Sequence, residues 1–186
     1  MDISPFAALR YTQTRSLDID RCISLPYDQF GDEGREERYG RHSHNVVRLI
    51  KPRPGKEPTH EMARRTLASW RRDGVLVADE RPGIYPYRQR FNLPGGSVAE
   101  ERWGFICRLR LTPFETGPVK AHELTYPGTV GERSRLRKIV EADLGLILVV
   151  YDDLDGNIDR LVRSAAGGAE LFEATDEAGT ANALWK

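Results

Sequence analysis

A chain of 186 residues is long enough to bury one sizeable core, and its 28 acidic and 28 basic side chains balance to a formal net charge of zero. That balance excludes the strong overall field that draws basic proteins to nucleic acids or anionic membranes. Apolar residues make up 39% of the chain and charged residues 30%, which is typical of a globular domain.

The sequence does not predict a membrane-bound or exported protein. Residues 1–6 lack the basic and apolar stretches of a signal peptide, and the longest apolar run, residues 144–151, is too short to span a bilayer. Cys22 and Cys107 are too few for a disulfide framework and fit no metal-binding spacing. We therefore expect a cytoplasmic protein without a membrane partner.

The first fifty residues contain two pairs of candidate ligand-binding side chains. Tyr27 and Asp28 follow a proline, and Asp28 could bind a ligand hydroxyl or a metal. An Asx-turn or a helix cap is the more common role of an aspartate in that position. His42 and His44 would face the same side of a strand, but no third ligand is near, so the sequence assigns no metal site.

Two elements are predicted between these pairs and the middle of the chain. Residues 45–50 predict a strand, in which Arg48 would need a partner among apolar neighbours. Residues 59–73 predict a helix that ends at Gly74, because apolar side chains recur there at helical spacing. The apolar face of this helix consists of Met62, Ala63, Leu67 and Trp70.

The next two strands predict a hairpin. In residues 85–91 alternate side chains share one face, and Pro86 indicates an edge strand. In residues 102–111 five apolar side chains alternate with three arginines, which either line a binding face or belong to a solvated face. The apolar residues are Trp103, Phe105, Cys107, Leu109 and Leu111, and the arginines are Arg102, Arg108 and Arg110.

The densest set of potentially chemical side chains lies between residues 119 and 140. A helix is predicted to begin at Glu132, because apolar residues recur after it at helical spacing. Gly128 and Gly131 would then precede the helix, where free backbone N–H groups and the helix dipole favour an anion. The segment is either a cradle for phosphate or carboxylate, or an ordinary loop before a solvated, arginine-rich helix. The candidate ligand-binding residues are His122, Glu123, Thr125, Glu132, Arg133 and Arg135, together with Tyr27 and Asp28.

The C-terminal part of the chain predicts strands around one helix. Residues 144–151 are apolar throughout, like a strand buried on both faces. Residues 152–157 lack the spacing of a calcium loop and predict a turn that caps a helix over residues 158–166. Residues 171–175 and 181–185 predict a final hairpin. The whole pattern predicts a single α+β domain with a mixed, largely antiparallel sheet and a few packed helices.

Eight short motifs, in the right order over nearly the whole chain, resemble the N-terminal part of the bacterial and archaeal "domain of unknown function 1015" family. They are P-F-A-A-L-R-Y at Pro5, L-P-Y-D at Leu25, N-V-V-R-L at Asn45, A-R-R-T-L-A-S-W-R-R-D-G-V-L at Ala63, I-Y-P-Y-R-Q-R-F at Ile84, R-W-G-F-I at Arg102, H-E-L-T-Y-P-G at His122 and V-Y-D-D at Val150. The family is related to the ParB and sulfiredoxin-like group, some members of which bind or use nucleotides. The resemblance implies a mixed α+β fold and favours ligand binding by residues 122–135.

The sequence departs from the family pattern in four places. Leu25 replaces the first of two usual prolines, residues 143–146 replace an Asn-x-Ser-Pro pattern, and Asn182 stands where a histidine is usual. The chain also lacks the second half of the family, which contains an Asp-Gly-His-His-Arg motif. We therefore expect it to correspond to the N-terminal half.

Two hypotheses of function follow from the residues and the resemblance. In the first, the protein is a ligand-binding or regulatory module for a phosphate-bearing small molecule. It then forms a homo-oligomer or binds a partner that supplies the missing half. In the second, it is a nucleotide-dependent, amino-acid kinase-like enzyme that uses a nucleotide with Mg²⁺. There His122 or Glu123 would transfer a proton, while Arg133 and Arg135 would hold phosphate. The missing motif favours the first, and zero net charge disfavours nucleic acid as a partner.

Overall fold

Helices and antiparallel strands both contribute to the structure, which confirms the predicted α+β class. A computed structural model describes residues 2–13, 17–96, 98–122, 124–168 and 170–186. In that part of the chain the helices are α1 (Asp32–Arg41), α2 (Val47–Ile50), α3 (Thr59–Arg72), α4 (Pro127–Val140) and α5 (Asn157–Ala165), with a short 3-10 helix at Ile19–Arg21. The strands are β1 (Ile3–Ser4), β2 (Leu9–Tyr11), β3 (Leu76–Ala78), β4 (Tyr85–Asn92), β5 (Ala99–Ile106), β6 (Arg108–Leu109), β7 (Phe172–Thr175) and β8 (Ala181–Leu184). None of the helices described is long and apolar enough to cross a membrane.

The main sheet has four antiparallel strands in the order β5-β4-β8-β7. Both predicted hairpins, β4–β5 and β7–β8, are confirmed, and β8 joins them by pairing with β4. The prediction that Pro86 marks an edge is wrong, because β4 lies between two strands. The carbonyl of Pro86 accepts a hydrogen bond from the N–H of Trp185, just beyond the last paired residue of β8. Proline has no N–H to donate to β8. Because Pro86 lies at the end of the β4–β8 ladder, no hydrogen bond is lost from its interior.

The helical core forms around α3, where three of the four residues of the predicted apolar face are buried and Met62 is half-buried. Ala63, Leu67 and Trp70 are buried on α3 and pack against buried residues from α2, β3 and α4. Those partners are Leu49, Leu76, Leu136 and Val140. A helix with this spacing gains most of its stability from such burial rather than from intrinsic propensity.

Gly74 ends α3 in the left-handed region, with φ of +71°. A Gly74→Ala substitution is expected to lower the free energy of unfolding by about 1 kcal/mol, because a side chain disfavours this conformation even where space is free. Gly145→Ala is the matched control, since Gly145 also has open space but no positive φ. Urea denaturation of both variants measures the difference, and equal stabilities would contradict the explanation.

Residues 45–50 form a helical turn, so the predicted strand is wrong. Asn45 is fully buried, and its Oδ1 accepts a hydrogen bond from the N–H of Val47 at 3.0 Å. Its Nδ2 donates to the carbonyls of Arg21 (2.7 Å) and Ile23 (3.0 Å). This side chain starts the turn that becomes α2, and such local bonds compete with strand pairing. Arg48 has the partner that the sequence requires, because it donates to the Tyr39 carbonyl at 3.0 Å.

Residues 102–111 do not form one continuous strand, because the ladder is interrupted at Cys107 between β5 and β6. The predicted alternation holds only in part: Arg108 and Arg110 are exposed and Cys107 and Leu109 are half-buried, but residues 103–107 are all half-buried. Leu111 is an exception, with 87% of its surface exposed. Helix α5 packs on β5, where Arg163 lies 5.0 Å from the centre of the Trp103 ring.

Residues 144–151 are neither a strand nor buried, which corrects the sequence prediction. They run between α4 and α5 without regular structure, and no strand in the described part of the chain pairs with them. Both sides of β4 are already occupied by β5 and β8, so no central position is available to a fifth strand. The turn after the segment agrees with the prediction, since Asp153 caps α5 by accepting from the N–H groups of Ile158 and Asp159.

Candidate functional site

Helix α4 begins at Pro127, so the prediction that it starts at Glu132 is wrong. Proline at the first helical position has a φ already suited to a helix and needs no hydrogen-bond partner for its nitrogen. Gly128 and Gly131 therefore lie within α4 and do not form a loop before it. The glycine cradle expected for an anion is absent from this segment as the structure describes it.

Three of the predicted ligand-binding residues lie together where α4 packs near Tyr27. The Arg133 guanidinium is 3.8 Å from the centre of the Tyr27 ring, and its Nη1 donates to the Ile50 carbonyl at 3.2 Å. Glu132 forms an ion pair with Arg133 at 2.8 Å. On the other side of the turn, Lys51 Nζ donates to the Tyr27 carbonyl at 3.0 Å. Arg133 thus already has protein partners that hold the Tyr27 turn against α4.

The other predicted residues do not join this contact. Asp28, His122, Thr125 and Arg135 are exposed, and Glu123 lies outside the described residues. Arg135 is two residues from Arg133 on a helix, so the two side chains leave α4 about 200° apart around its axis. A ligand-binding role for the whole set stays a prediction.

A polar cleft that the sequence did not single out opens on the face of the main sheet. It has a volume of about 410 Å³ and lies between β4, β5 and the turn that joins β7 to β8. Its lining consists of Gln89, Phe91, Asn92, Arg102, Ala178, Gly179 and Thr180. The cleft results from the register of the strands, because Gln89 of β4 pairs with Arg102 of β5 on one side and with Asn182 of β8 on the other. We call it the Arg102 cleft.

A chain of hydrogen bonds orients the side chains of the Arg102 cleft. Arg102 donates through Nε (2.9 Å) and Nη2 to Gln89 Oε1, and Gln89 Nε2 donates to Asn182 Oδ1 at 3.0 Å. The Tyr87 hydroxyl donates to the same Asn182 oxygen at 2.5 Å, and Asn182 Nδ2 donates to the Thr180 carbonyl at 2.8 Å. Within the described residues, no carboxylate lies at ion-pair distance from Arg102. The cleft therefore presents one oriented, uncompensated cation.

The electrostatics of the Arg102 cleft suit binding better than proton transfer. Burial raises the pKa of the Tyr87 hydroxyl, the charge of Arg102 opposes that rise, and Asp176 adds to it. The hydroxyl therefore remains a neutral donor at physiological pH. Asp176 accepts hydrogen bonds from the N–H groups of Ala178 and Thr180, both at 2.9 Å, which shapes the turn at the rim. Gly179 has φ of +80° in that turn, a conformation that favours glycine.

The sequence contained two signals for this cleft, but neither was sufficient. The alternation in residues 102–111 places Arg102 on the face opposite Trp103, and Asn182 stands where the pattern of the resembled family has a histidine. Asn182 is 9% exposed and lies at the centre of the hydrogen-bond chain. The register that brings β8 beside β4 joins residues 93 positions apart, and a local pattern does not predict such pairing.

His42 and His44 lie at a turn beside Cys22, so the prediction that they share one face of a strand is wrong. Their ring centres are 5.4 Å apart, and His42 Nδ1 is 3.3 Å from Cys22 Sγ. Burial raises the pKa of the Cys22 thiol to about 11, an effect to which Asp18 adds, so the thiol remains protonated. Across the described residues, no group of three or more histidine, cysteine or acidic side chains is arranged to hold a metal ion.

Comparison with known proteins gives a family but no characterised relative. The model of a family described as "Protein of unknown function (DUF1015)" matches residues 3–186, which is nearly all of the chain. No curated protein and no solved structure matches it. Function has to be argued from the side chains of the chain itself.

Proposed function

We propose that this chain, which belongs to the DUF1015 family of proteins of unknown function, is a ligand-binding module for a phosphate-bearing small molecule. The observation that supports this proposal is the oriented guanidinium of Arg102, which has no carboxylate partner among the described residues. The Arg102 cleft is the proposed binding site.

The free edge of Arg102 matches the geometry of a phosphate. Its Nε and Nη2 atoms donate to Gln89, so Nη1 and the second N–H of Nη2 remain for a ligand. Two parallel N–H donors bind two phosphate oxygens, and such charge-assisted pairs are stronger than neutral hydrogen bonds. Because Gln89 already orients the guanidinium, a ligand does not have to order it.

The size and chemistry of the Arg102 cleft favour a small polar ligand that is bound without turnover. Small-molecule sites commonly have volumes of about 300–1,000 Å³, and the cleft, at about 410 Å³, is within that range. The Phe91 ring, 5.8 Å from the Arg102 guanidinium, gives it an apolar wall. Arg102 is joined by hydrogen bonds to two amides and a hydroxyl, and none of these accepts a proton readily near neutral pH. The Asp176 carboxylate lies at the rim, where it accepts from the N–H groups of Ala178 and Thr180.

The test is a titration calorimetry series with inorganic phosphate, a nucleoside triphosphate and a phosphorylated amino acid. Arg102→Ala is expected to weaken binding of the best probe at least about tenfold, because it removes a bidentate, charge-assisted contact. Arg102→Lys should restore only part of the loss, because an ammonium group lacks the planar fork. Arg71→Ala, which removes an exposed arginine from α3, is the matched control and should leave affinity unchanged.

Two results would overturn the assignment. Loss of affinity in Arg133→Ala or Arg135→Ala, with Arg102→Ala unaffected, would place the ligand at α4. Turnover of ATP or ADP with free serine in the presence of Mg²⁺ would favour the nucleotide-dependent enzyme instead of a binding module.

A further inference from the structure

Residues 146–151 form an apolar segment in which four side chains are largely exposed, while Val149 is half-buried and Tyr151 packs against Phe105. Ile147 is 87% exposed and Val150 is 84% exposed, while Leu146 and Leu148 are 70% and 67% exposed. Isolated exposed apolar residues are normal on protein surfaces, but an uninterrupted run of them marks an interaction site. Three of the six residues are β-branched and the run contains no proline, so the segment has the composition of a strand.

The backbone of this segment is also unpaired. Among the described residues, none of the N–H or C=O groups of residues 146–151 takes part in a backbone hydrogen bond. An extended run with free donors and acceptors on both edges is a template for pairing with another strand. An added strand would pair some of these groups and cover part of the apolar surface at the same time.

Strand β6 offers a surface of complementary composition. Arg108 and Arg110 are exposed there and alternate with Leu109 and Leu111, of which Leu111 is 87% exposed. One edge of β6 pairs with β1, and in the described part of the chain no strand pairs with the other edge. β6 and the residues after it therefore present a free edge with two leucines and two arginines, of which Arg110 is ion-paired with Asp2 at 3.4 Å and Arg108 has no carboxylate partner among the described residues.

The charges at the end of the apolar segment decide which surface it fits. Asp152 and Asp155 are exposed and have no ion-pair partner among the described residues, and Asp153 adds a third carboxylate. If two copies paired through residues 146–151 alone, in the antiparallel arrangement that a twofold axis gives, these carboxylates would lie at the two ends of the ladder without cationic partners. Pairing with β6 would instead set Asp152 against Arg108.

We propose that two copies of this chain associate by reciprocal antiparallel pairing of residues 148–152 of each with residues 108–112 of the other. In this register Asp152 lies opposite Arg108, Tyr151 opposite Leu109 and Val149 opposite Leu111. The two apolar pairs then fall on one face of the new ladder, and the charged pair shares the other face with Val150 opposite Arg110, because strand side chains alternate. One twofold axis creates both contacts.

The two surfaces lie close enough together in one chain for a single interface. The Tyr151 ring packs against Phe105 of β5, with ring centres 5.9 Å apart, and β6 begins three residues after Phe105. The segment and the free edge of β6 are therefore neighbours on the same side of the protein. A twofold interface needs such a continuous, self-complementary patch.

The experiment measures the mass of the full chain in solution by sedimentation velocity over a dilution series. The wild-type protein is expected to dimerise, and the single variants Arg108→Asp and Asp152→Arg should each weaken the dimer at least about tenfold, because symmetry makes every substitution count twice. The double variant, which exchanges the two charges, should regain the dimer. Arg71→Asp, on the exposed part of α3, is the control and should dimerise like the wild type.

Three results would overturn the proposal, provided that circular dichroism shows each variant to be folded. They are a wild-type protein that stays monomeric at every concentration, a charge-exchanged double variant that stays as weak as the single variants, and an equal loss in the Arg71→Asp control. If Arg108→Asp does not fold, the pair Arg108→Ser and Leu111→Ser tests the same edge by the same measurement.

Discussion

A Trp70→Ala variant is expected to lose about 3–5 kcal/mol of unfolding free energy, the typical loss when a buried aromatic residue is truncated. Trp70 is 5% exposed on α3 and lies at the meeting point of α2, α3, α4 and β3. Its ring contacts His44 edge-on at 5.6 Å between centres and Tyr11 at 6.1 Å. The cavity would disturb Tyr11 as well, whose hydroxyl donates to the His44 carbonyl at 2.8 Å.

Urea denaturation followed by circular dichroism measures this loss. Trp70→Phe should retain part of the stability, because a smaller aromatic ring leaves a smaller cavity. Leu124→Ala is the control, since Leu124 is 95% exposed and its truncation should change stability by less than about 0.5 kcal/mol. If Trp70→Ala were no less stable than Leu124→Ala, the helical core described for α3 would be wrong.

Elements that depend on local pattern were predictable from the sequence. Helix α3 has apolar spacing and a terminal glycine, and the β4–β5 and β7–β8 hairpins have alternation interrupted by turn residues. These signals depend on neighbours within a few residues, so they appear in the sequence without knowledge of the fold.

Elements that depend on distant contacts were not predictable in the same way. Residues 45–50 have the composition of a strand, but Asn45 bonds to the Arg21 and Ile23 carbonyls and starts a helical turn. The apolar run 144–151 also predicted a strand, and only the structure shows that β4 has no free edge for it. In both cases tertiary context outweighs local propensity.

The candidate site shows the same division between local and distant information. The sequence indicated residues 122–135 because charged and glycine residues are concentrated there, whereas the Arg102 cleft combines residues from three strands. Gln89, Arg102 and Asn182 form a set only after β8 pairs with β4. Any one of them, taken alone, is an ordinary polar residue in a strand.

A Glu177→Ala variant tests the contact that holds the C-terminal hairpin against α1. Glu177 lies in the turn between β7 and β8, and its Oε1 accepts hydrogen bonds from Arg38 and from the N–H of Leu25 at 3.2 Å. Its Oε2 forms an ion pair with Arg41 at 2.5 Å. The side chains of Arg38 and Glu177 are only 6% and 10% exposed. The carboxylate therefore compensates a cation that has almost no contact with water.

Removing this carboxylate should lower the free energy of unfolding by about 3–5 kcal/mol, because Arg38 would keep a buried charge without a counterion. Replacing Arg38 with methionine in the same protein should recover much of the loss, since a buried ion pair exchanged for apolar residues is often close to neutral. Arg88→Met is the matched control for replacing an arginine with methionine, because Arg88 is a half-buried arginine on a different element, β4. A double variant no more stable than Glu177→Ala would contradict the view that an uncompensated charge causes the loss.

The same contact predicts how stability depends on pH. Burial would raise the pKa of Glu177, but the hydrogen bonds from Arg38 and Leu25 and the charges of Arg38 and Arg41 outweigh it, so the pKa lies below its ordinary value. A depressed pKa in the folded state means that the stabilisation is complete above the pKa of the unfolded chain. It is lost as the pH falls through the lower, folded value. The stability difference between the wild type and Glu177→Gln should therefore be constant near neutral pH and shrink in acid. If that difference stayed constant into strong acid, the Glu177 carboxylate would not be the source of the stabilisation.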